Sequence, residues 1–493
     1  MQLLILALFL GLYLHDNVPG MVSPVRDGLI LLTAVLTPKL VLLGAYAWLC
    51  RWTRQGLSGP NGYRRFRRLD LAGTAFRIGV LVSYGLDLHL GLLAVIRETL
   101  TSWTGWQHPV LLDESLVMLP SLLMFGAAWS VYYPIERRLR EAALIRRLDE
   151  GLPVQPVWSR WQYIVSQYRY QVLLILLPLL VIIAWMDGVE VMVAHGWIGE
   201  SSKAWWTAGG CVMVFLFAPV MIRLAWDTVP LPEGETRSHL QSMCRMHRVR
   251  VRELLLWRTY GGMINAAVMG FIGPLRYILI TDGLLQQLHA PQVEAVMAHE
   301  LGHIRKRHMF WLLASALAWM GVVEVAVMVV LWSNGIDVNQ LDPLWLGLEP
   351  GRPINTAGLG LGVFNETQMT VTCTIVAAAC VWAWGFGWIS RRAERQADSF
   401  AVSHLARTRN AATIAWADVM TMIEALQRVA DLNHVRADKH SWRHGSIRWR
   451  QDYLRSLVGC PVDQLPIDRQ MRRVNIASLV VLAIGSAGYH WFG

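Results

Sequence analysis

Charged side chains are scarce in this sequence. Aspartate, glutamate, lysine and arginine make up only 16% of its 493 residues, whereas about a quarter is typical of soluble domains. Apolar residues supply 54% of the chain, and the mean hydropathy is +0.36. This balance excludes an ordinary soluble protein and predicts a mainly α, polytopic membrane protein.

Cysteine pairs, internal repeats and a clear leader are also missing. None of the six cysteines forms a C-x-x-C pair, so neither a disulfide framework nor a cysteine zinc site is predicted. The start, MQLLILALFLGLYLHD, lacks the basic segment and the small-residue cleavage site of a signal peptide. We interpret it as a short first span.

Apolar segments recur along the chain at about the 20-residue length that a helix needs to cross a bilayer. About nine are predicted to span it: 2–15, 28–50, 73–97, 115–133, 171–193, 204–224, 309–332, 367–389 and 474–492. Polar stretches lie between several of them. We therefore expect five regions: 1–224, a bundle of about six spans; 225–308, three strand-like runs (ELLLWRT, INAAVMGF and RYILITD) and a helix; 309–389, two spans; 390–473, a polar stretch that begins with the helix SRRAERQADSFAVSHLA; and 474–493, the last span.

The net charge of +10 would suit a nucleic-acid-binding protein. Arginines, however, cluster in the connections 51–68 and 137–160, which fall on the same side of the predicted membrane. By the positive-inside rule that side is cytoplasmic. The charge therefore indicates orientation; we expect a bacterial inner membrane and no nucleic-acid partner.

Residues 296–308 read VMAHELGHIRKRH, in a helix predicted to start near Pro291. His299 and His303 are four residues apart, so they share one helix face and can hold one metal ion. Glu300 is placed to take a proton from water beside that ion. This H-E-x-x-H pattern is typical of zinc hydrolases, and the simpler interpretation is two surface histidines on an interfacial helix.

A catalytic zinc ion takes three protein ligands and leaves one position open. In SRRAERQADSF, Glu394 could supply the third ligand, and Asp398, one turn later, could accept a hydrogen bond from a ligand histidine. The alternative is an ordinary charged helix face.

These segments resemble the membrane-embedded zinc endopeptidases that include the type I CAAX prenyl endopeptidases and bacterial HtpX. The resemblance is carried by AHELGHIRKRH (298–308), SRRAERQAD (390–398), INAAVMG (264–270) and ITDGLL (280–285). It implies a cytoplasmic zincin-like α+β domain with one Zn²⁺ per chain. The implied ligands are His299, His303 and Glu394, with Glu300 as the general base.

The resemblance also implies a substrate-binding edge strand at Asn265 and Ala266. His444 and Arg450 resemble a late motif of the family, a His-Pro pair followed by arginine, with His444 hydrogen bonding to the oxyanion and Arg450 binding substrate. Gly445 replaces the proline here. A solvated basic loop is the alternative for this segment.

The metal helix is expected to run straight into the span 309–332, which would place zinc near the cytoplasmic membrane surface. Substrates would then be membrane proteins or lipid-modified peptides. Ionisable residues inside spans, such as Lys39, Asp87 and Glu324, are expected to face each other or an interior. His308 is expected to be structural or interfacial.

Two other functions fit parts of the sequence. A non-catalytic scaffold or signalling protein could keep zinc for folding, but it would not need Glu300. A transporter would also have many spans, but the matched, broken spans typical of transporters are not found.

Overall fold

The computed structural model describes residues 28–57, 59, 62–105, 112–149, 158–259, 263–336, 366–433 and 435–492. These residues are mainly helical, with one small sheet. They divide into two compact units, and the chain passes from the first to the second between Trp226 and Asp227. The predicted span 2–15 lies outside the described residues.

The regular elements among the described residues of the first unit are all helices. A π-helical turn, Tyr168–Leu173, joins its fifth and sixth helices. The helices are α1 (Gly28–Gln55), α2 (Gly62–His89), α3 (Leu92–Thr104), α4 (Leu112–Asp149), α5 (Arg160–Gln167), α6 (Leu174–Ala194) and α7 (Glu200–Ala225).

The second unit combines helices with a four-stranded sheet. Its strands are β1 (Thr228–Pro230), β2 (Glu253–Trp257), β3 (Ala266–Met269) and β4 (Tyr277–Thr281). Its helices are α8 (Glu235–Met246), α9 (Asp282–Gln287), α10 (Ala290–Arg305), α11 (His308–Ser333), α12 (Glu366–Thr408), α13 (Trp416–Leu432), α14 (Ile447–Arg455) and α15 (Pro466–Phe492).

Six helices among the described residues are long and apolar enough to cross a membrane. Their apolar parts are Gly28–Gln55, Arg64–His89, Leu112–Ala142, Arg160–Ala194, Glu200–Ala225 and His308–Ser333. The predicted spans 367–389 and 474–492 fall on α12 and α15, which are not among these six. The predicted span 73–97 is wrong in its bounds. Its helix ends at His89, because Gly91 adopts a left-handed conformation (φ 85°) that interrupts the helix.

The sheet has the strand order β1-β2-β4-β3, so β3 lies at an edge. β4 pairs in parallel with β2 and antiparallel with β3. All five residues of β4 are buried, as expected for an apolar central strand. The three predicted strand segments therefore form strands, and the short β1 is an addition that its sequence did not indicate.

α10 and α12 pack closely in the second unit. A Cβ on Gly302 of α10 would lie only 3.2 Å from the Cα of Ala397 on α12. The absence of a side chain at Gly302 thus lets the two helix backbones approach. Since α12 is continuous, the predicted span 367–389 and the segment containing Glu394 belong to one helix.

α10 and α11 are two separate helices, whereas one continuous helix from the candidate metal ligands into the span 309–332 was expected. Arg307 adopts a left-handed conformation (φ 54°), which is uncommon for a residue with a side chain. The expectation that the metal helix runs straight into the next span is therefore wrong.

A buried ion pair joins α1 to α2. Nζ of Lys39 donates to Oδ2 of Asp87 at 2.6 Å and to the hydroxyl of Ser83 at 2.8 Å. Both charged residues are 1% exposed, which confirms that they face each other. Glu324 on α11, in contrast, is exposed, so the expectation that it faces an interior is wrong.

We expect Asp87→Ala to lower the free energy of unfolding by about 3–5 kcal/mol, because Lys39 would stay buried without its carboxylate. Denaturant unfolding in detergent micelles would measure the change. Glu98→Ala, at an exposed acidic residue of α3, is the control. Equal stability of the two variants would show that the ion pair is not stabilising.

Candidate metal centre

The two histidines of α10 and a carboxylate of α12 converge on one point. Nε2 of His299 and Nε2 of His303 lie 3.1 Å apart. The nearest oxygens of Glu394 lie 3.7 Å from the first nitrogen and 3.8 Å from the second. Among the described residues, this is the one group of histidine, cysteine and acidic side chains with metal-binding geometry.

The triangle fits a zinc ion in size. Ligands bound tetrahedrally at roughly 2.0–2.1 Å from zinc would be about 3.3 Å from one another. The three observed separations, from 3.1 to 3.8 Å, bracket that value. Two imidazoles and one carboxylate are also a ligand set that catalytic zinc sites use.

The hydrogen-bonding state of His299 supports a cation at this point. Its Nδ1 lies 2.9 Å from Oδ1 of Asp398, which favours a proton on Nδ1. Burial would lower the pKa of His299, but the carboxylates of Asp398 and Glu394 outweigh it and raise that pKa. Burial lowers the pKa of His303 well below its ordinary value, so this ring is neutral. Two carboxylates beside these two imidazoles form a site that favours a bound cation.

Asp398 is held by a buried arginine from α14. Arg450 donates from Nε to Oδ2 at 2.8 Å and from Nη2 to Oδ1 at 2.6 Å. Burial alone would raise the pKa of Asp398, but Arg450 and His299 outweigh it and lower that pKa. Asp398 therefore stays ionised and keeps His299 oriented.

Glu394 also has two nitrogen-bearing neighbours, His444 and Arg450. Nδ1 of His444 lies 3.0 Å from its Oε1, and Nη1 of Arg450 lies 3.4 Å from its Oε2. Burial would raise the pKa of Glu394, yet His444 and Arg450 bring it well below the ordinary value. Glu394 is thus an anion, as a metal ligand must be.

Glu300 is half-buried beside the histidines and lines the same cleft. Burial raises its pKa to about 7, with the charge of His299 acting against this and that of Glu394 adding to it. A carboxylate with a pKa near neutrality can both accept and release a proton.

The cleft has a volume of about 1250 Å³ and includes the edge strand β3. The backbone of Asn265, just before β3, bonds to Thr281: its carbonyl accepts from the Thr281 N–H at 3.0 Å, and its N–H donates to the Thr281 hydroxyl at 3.0 Å. Since backbone groups alternate in direction along a strand, those of Ala266 and Val268 point away from β4. The side chain of Asn265 is exposed in the cleft.

The structure brings nearly all the predicted residues together. His299, Glu300, His303, Glu394, Asn265, Ala266, His444 and Arg450 all line the cleft, and Asp398 lies directly behind His299. The contacts of Arg450 go to two carboxylates of the centre, so its expected role in substrate binding stays a prediction. The roles expected for Asn265, Ala266 and His444 also stay predictions.

Sequence reasoning missed the position of His308. Its Nδ1 lies 2.8 Å from Nδ1 of His303, so it contacts a metal ligand. The HExxHxxxxH spacing in the sequence gave no such signal, because residues five apart on one helix point about 140° apart.

Comparison with known proteins supports the same chemistry. The model of Peptidase family M48 matches residues 253–453. The chain is 26% identical over 196 residues to a CAAX prenyl protease 1 homolog of Arabidopsis thaliana, an alignment that covers 39% of this chain and 42% of the relative. It is 27% identical over 230 residues to Protease HtpX of Pseudomonas paraeruginosa, covering 45% of this chain and 67% of the relative.

One solved structure, S. mikatae Ste24p, aligns with 85% of this chain and 98% of its own, at 14% identity and a TM-score of 0.44. The family match and the two relatives confirm the resemblance that the motifs indicated. The chain spans less than half the length of the plant relative.

We expect Glu394→Ala to lower bound zinc from about one ion per chain by at least about tenfold, because two imidazoles alone hold zinc weakly. Elemental analysis after dialysis would measure it. Glu424→Ala, at an exposed position of α13, should keep the full zinc content. Full zinc content in both variants would remove Glu394 from the ligand set.

Proposed function

We propose, from the match of residues 253–453 to Peptidase family M48, that this chain is an integral-membrane zinc endopeptidase. It hydrolyses peptide bonds of membrane-associated or membrane-inserted proteins, including lipid-modified peptides. The observation that carries the proposal is the convergence of His299, His303 and Glu394 beside Glu300, in a cleft that includes an edge strand.

A zinc ion held by these three side chains would supply Lewis acidity to the scissile carbonyl and lower the pKa of a bound water to about 7. Glu300 takes the proton from the attacking water and later delivers it to the leaving amine. Its pKa of about 7 suits both steps. A zinc site needed only for folding would have no use for such a carboxylate.

The substrate backbone pairs with β3. The outward-facing groups of Ala266 can hydrogen bond with an extended peptide, as unpaired edge strands do, while the backbone of Val268 contacts Glu300. The exposed amide of Asn265, at the start of the strand, holds the peptide in register. The peptide then passes along β3 toward Glu300.

His444 stabilises the developing oxyanion. Its Nδ1 lies 3.0 Å from Oε1 of Glu394, which holds the ring in the cleft where it can donate a hydrogen bond to the substrate oxygen. A donor that meets a growing negative charge lowers the barrier, an effect that oxyanion donors commonly have. Arg450 contacts the carboxylates of Asp398 and Glu394. It thereby positions Glu394 directly and His299 through Asp398.

The active site faces the cytoplasm in this proposal. The arginine-rich connections 51–68 and 137–160 mark that side by the positive-inside rule, and the alternation of about nine spans puts 225–308 and 390–473 there too. The membrane is the inner (plasma) membrane of a bacterium. The substrates are proteins that reach the cleft from the bilayer surface.

We expect Glu300→Gln to keep one zinc ion per chain but to lower the rate of β-casein cleavage in detergent by about 100-fold or more, because the general base is lost. Glu294→Gln, on the same helix but outside the cleft, is the matched control and should cleave casein. Cleavage by Glu300→Gln at the wild-type rate would show that Glu300 is not the base.

A further inference from the structure

The second metal ligand, His303, lies at one end of a chain of polar side chains. Its Nδ1 is 2.8 Å from Nδ1 of His308, and Nε2 of His308 is 2.9 Å from Oε1 of Gln396. Gln396 donates from its amide nitrogen to Oδ1 of Asp468 at 2.6 Å. Nζ of Lys306 donates to the other oxygen of Asp468 at 2.8 Å.

The direction of every hydrogen bond in this series of side chains follows from the carboxylate of Asp468 at its end. A carboxylate only accepts, so Asp468 takes a proton from the amide nitrogen of Gln396 and thereby fixes how that amide is turned. The amide oxygen then faces His308 and accepts its Nε2–H. Neutral His308 is left with a lone pair on Nδ1, which accepts the Nδ1–H of His303. Nε2 of His303 is therefore the nitrogen with the lone pair, as zinc requires.

The turn between α10 and α11 makes the contact between His308 and His303 possible. Residues five apart on a continuous helix point about 140° apart, so His308 could not reach His303 without it. Arg307 in its left-handed conformation (φ 54°) provides the turn. An unfavourable conformation at a non-glycine residue persists where the surrounding structure requires it. His308 and Gln396 are also buried, at 1% and 6% exposure.

We propose that His308 is a positioning residue for the metal centre: it fixes the tautomer and orientation of His303 through the chain to Gln396 and Asp468. It does for His303 what Asp398 does for His299. This inference rests on the zinc site of the proposed function. Asp468 lies in the first turn of α15, so the chain also connects the metal ligand to the start of that helix.

Zinc affinity, measured by competition with a chelator in detergent, tests the proposal without reference to proteolysis. We expect His308→Leu to weaken zinc binding about 10- to 100-fold, as loss of a ligand's hydrogen-bond partner commonly does. His308→Asn keeps an acceptor near the position of Nδ1 and should bind zinc within about threefold of the wild type. The visible spectrum of the Co²⁺-substituted protein should change in the Leu variant only.

His404→Leu is the matched control. His404 is a buried histidine on α12 that is hydrogen bonded to His247 and Glu294 outside the cleft. Its loss should therefore affect stability but not zinc affinity. Should His308→Leu fail to fold, Gln396→Met interrupts the same chain one step further away and should weaken zinc binding at least about threefold. Wild-type affinity and an unchanged Co²⁺ spectrum in His308→Leu, or in Gln396→Met, would overturn the proposal. A wild-type protein that binds no zinc would instead refute the proposed function.

The cleft carries an excess of positive charge. Five exposed basic residues line it, and none has a carboxylate partner among the described residues. Glu300 and Glu394 are the acidic residues that line it, and both belong to the metal centre. The basic residues, which we call the cleft cations, are Arg248, Arg305, Arg307, Lys439 and Arg443.

The excess of positive charge acts on whatever enters the cleft. A cleft lined by charges of one sign raises the local concentration of oppositely charged ligands and speeds their association. Because the cleft cations share their cavity with the metal ligands and β3, that ligand is the peptide to be cleaved.

We propose that the cleft selects protein segments with aspartate or glutamate close to the scissile bond. The proposal deepens the proposed function by naming a substrate class. Anionic lipid headgroups share this chemistry, and the comparison of neutral detergent with anionic vesicles separates them from the peptide.

Two synthetic peptides test this preference. Both carry the main casein cleavage site, and one has glutamate where the other has glutamine at the flanking positions. We expect kcat/KM in neutral detergent to be at least about tenfold higher for the acidic peptide, and this ratio to shrink at high ionic strength because salt screens exposed charges. Arg305→Gln combined with Arg443→Gln should reduce the ratio to about threefold or less, because the acidic peptide loses the attraction of these two charges.

Arg428→Gln, at an exposed position of α13 outside the cleft, is the control and should keep the preference. Equal kcat/KM for the two peptides in the wild type would overturn the proposal, and so would a preference that appears only with anionic vesicles. The proposed function would survive either result, since the neutral peptide would still be cleaved.

Discussion

The metal centre depends on the close approach of α10 and α12. Two of the candidate ligands come from α10 and the third from α12, so the distance between the two helices decides whether the three side chains can share an ion. Gly302 makes this approach possible, and it lies beside His303 and opposite Ala397, one turn after Glu394. The small residues at this contact are therefore part of the geometry of the site, although neither touches the metal position.

Around this contact, buried charges compensate one another. Asp398 and Glu394 are both buried anions beside the two histidines, and either alone would be costly to keep ionised. Arg450 contacts both, and the imidazole of His444 is a second partner of Glu394. The guanidinium of Arg450 thus contacts both the carboxylate of Glu394 and that of Asp398, which orients His299. This shared role links the positions of His299 and Glu394.

Local patterns predicted much of this structure. The spacing of His299, Glu300 and His303 predicts one shared face of α10, and three strand-like runs predict β2, β3 and β4. Their position on one helix places Glu394 and Asp398 one turn apart. The structure has this geometry because each pattern depends on residues close in sequence, whose relative positions are set by helix or strand periodicity.

The features that escaped prediction depend on single backbone torsions or on distant contacts. The left-handed Arg307 resembles any other arginine in a basic segment, yet it ends α10 and turns His308 back toward His303. Gly91 likewise shortens a predicted span. Partners such as Gln396 and Asp468 lie 88 and 162 residues from the side chains that they contact, His308 and Lys306. No local pattern encodes such pairs.

The edge position of β3 has a further consequence. A strand edge offers main-chain donors and acceptors, and nearly every amino acid can pair with these. The edge therefore recognises an extended backbone conformation and not a particular sequence. A helical or compactly folded polypeptide has already used its own main-chain groups and cannot lie alongside. Susceptibility to this cleft should therefore depend first on whether a protein has lost its fold locally.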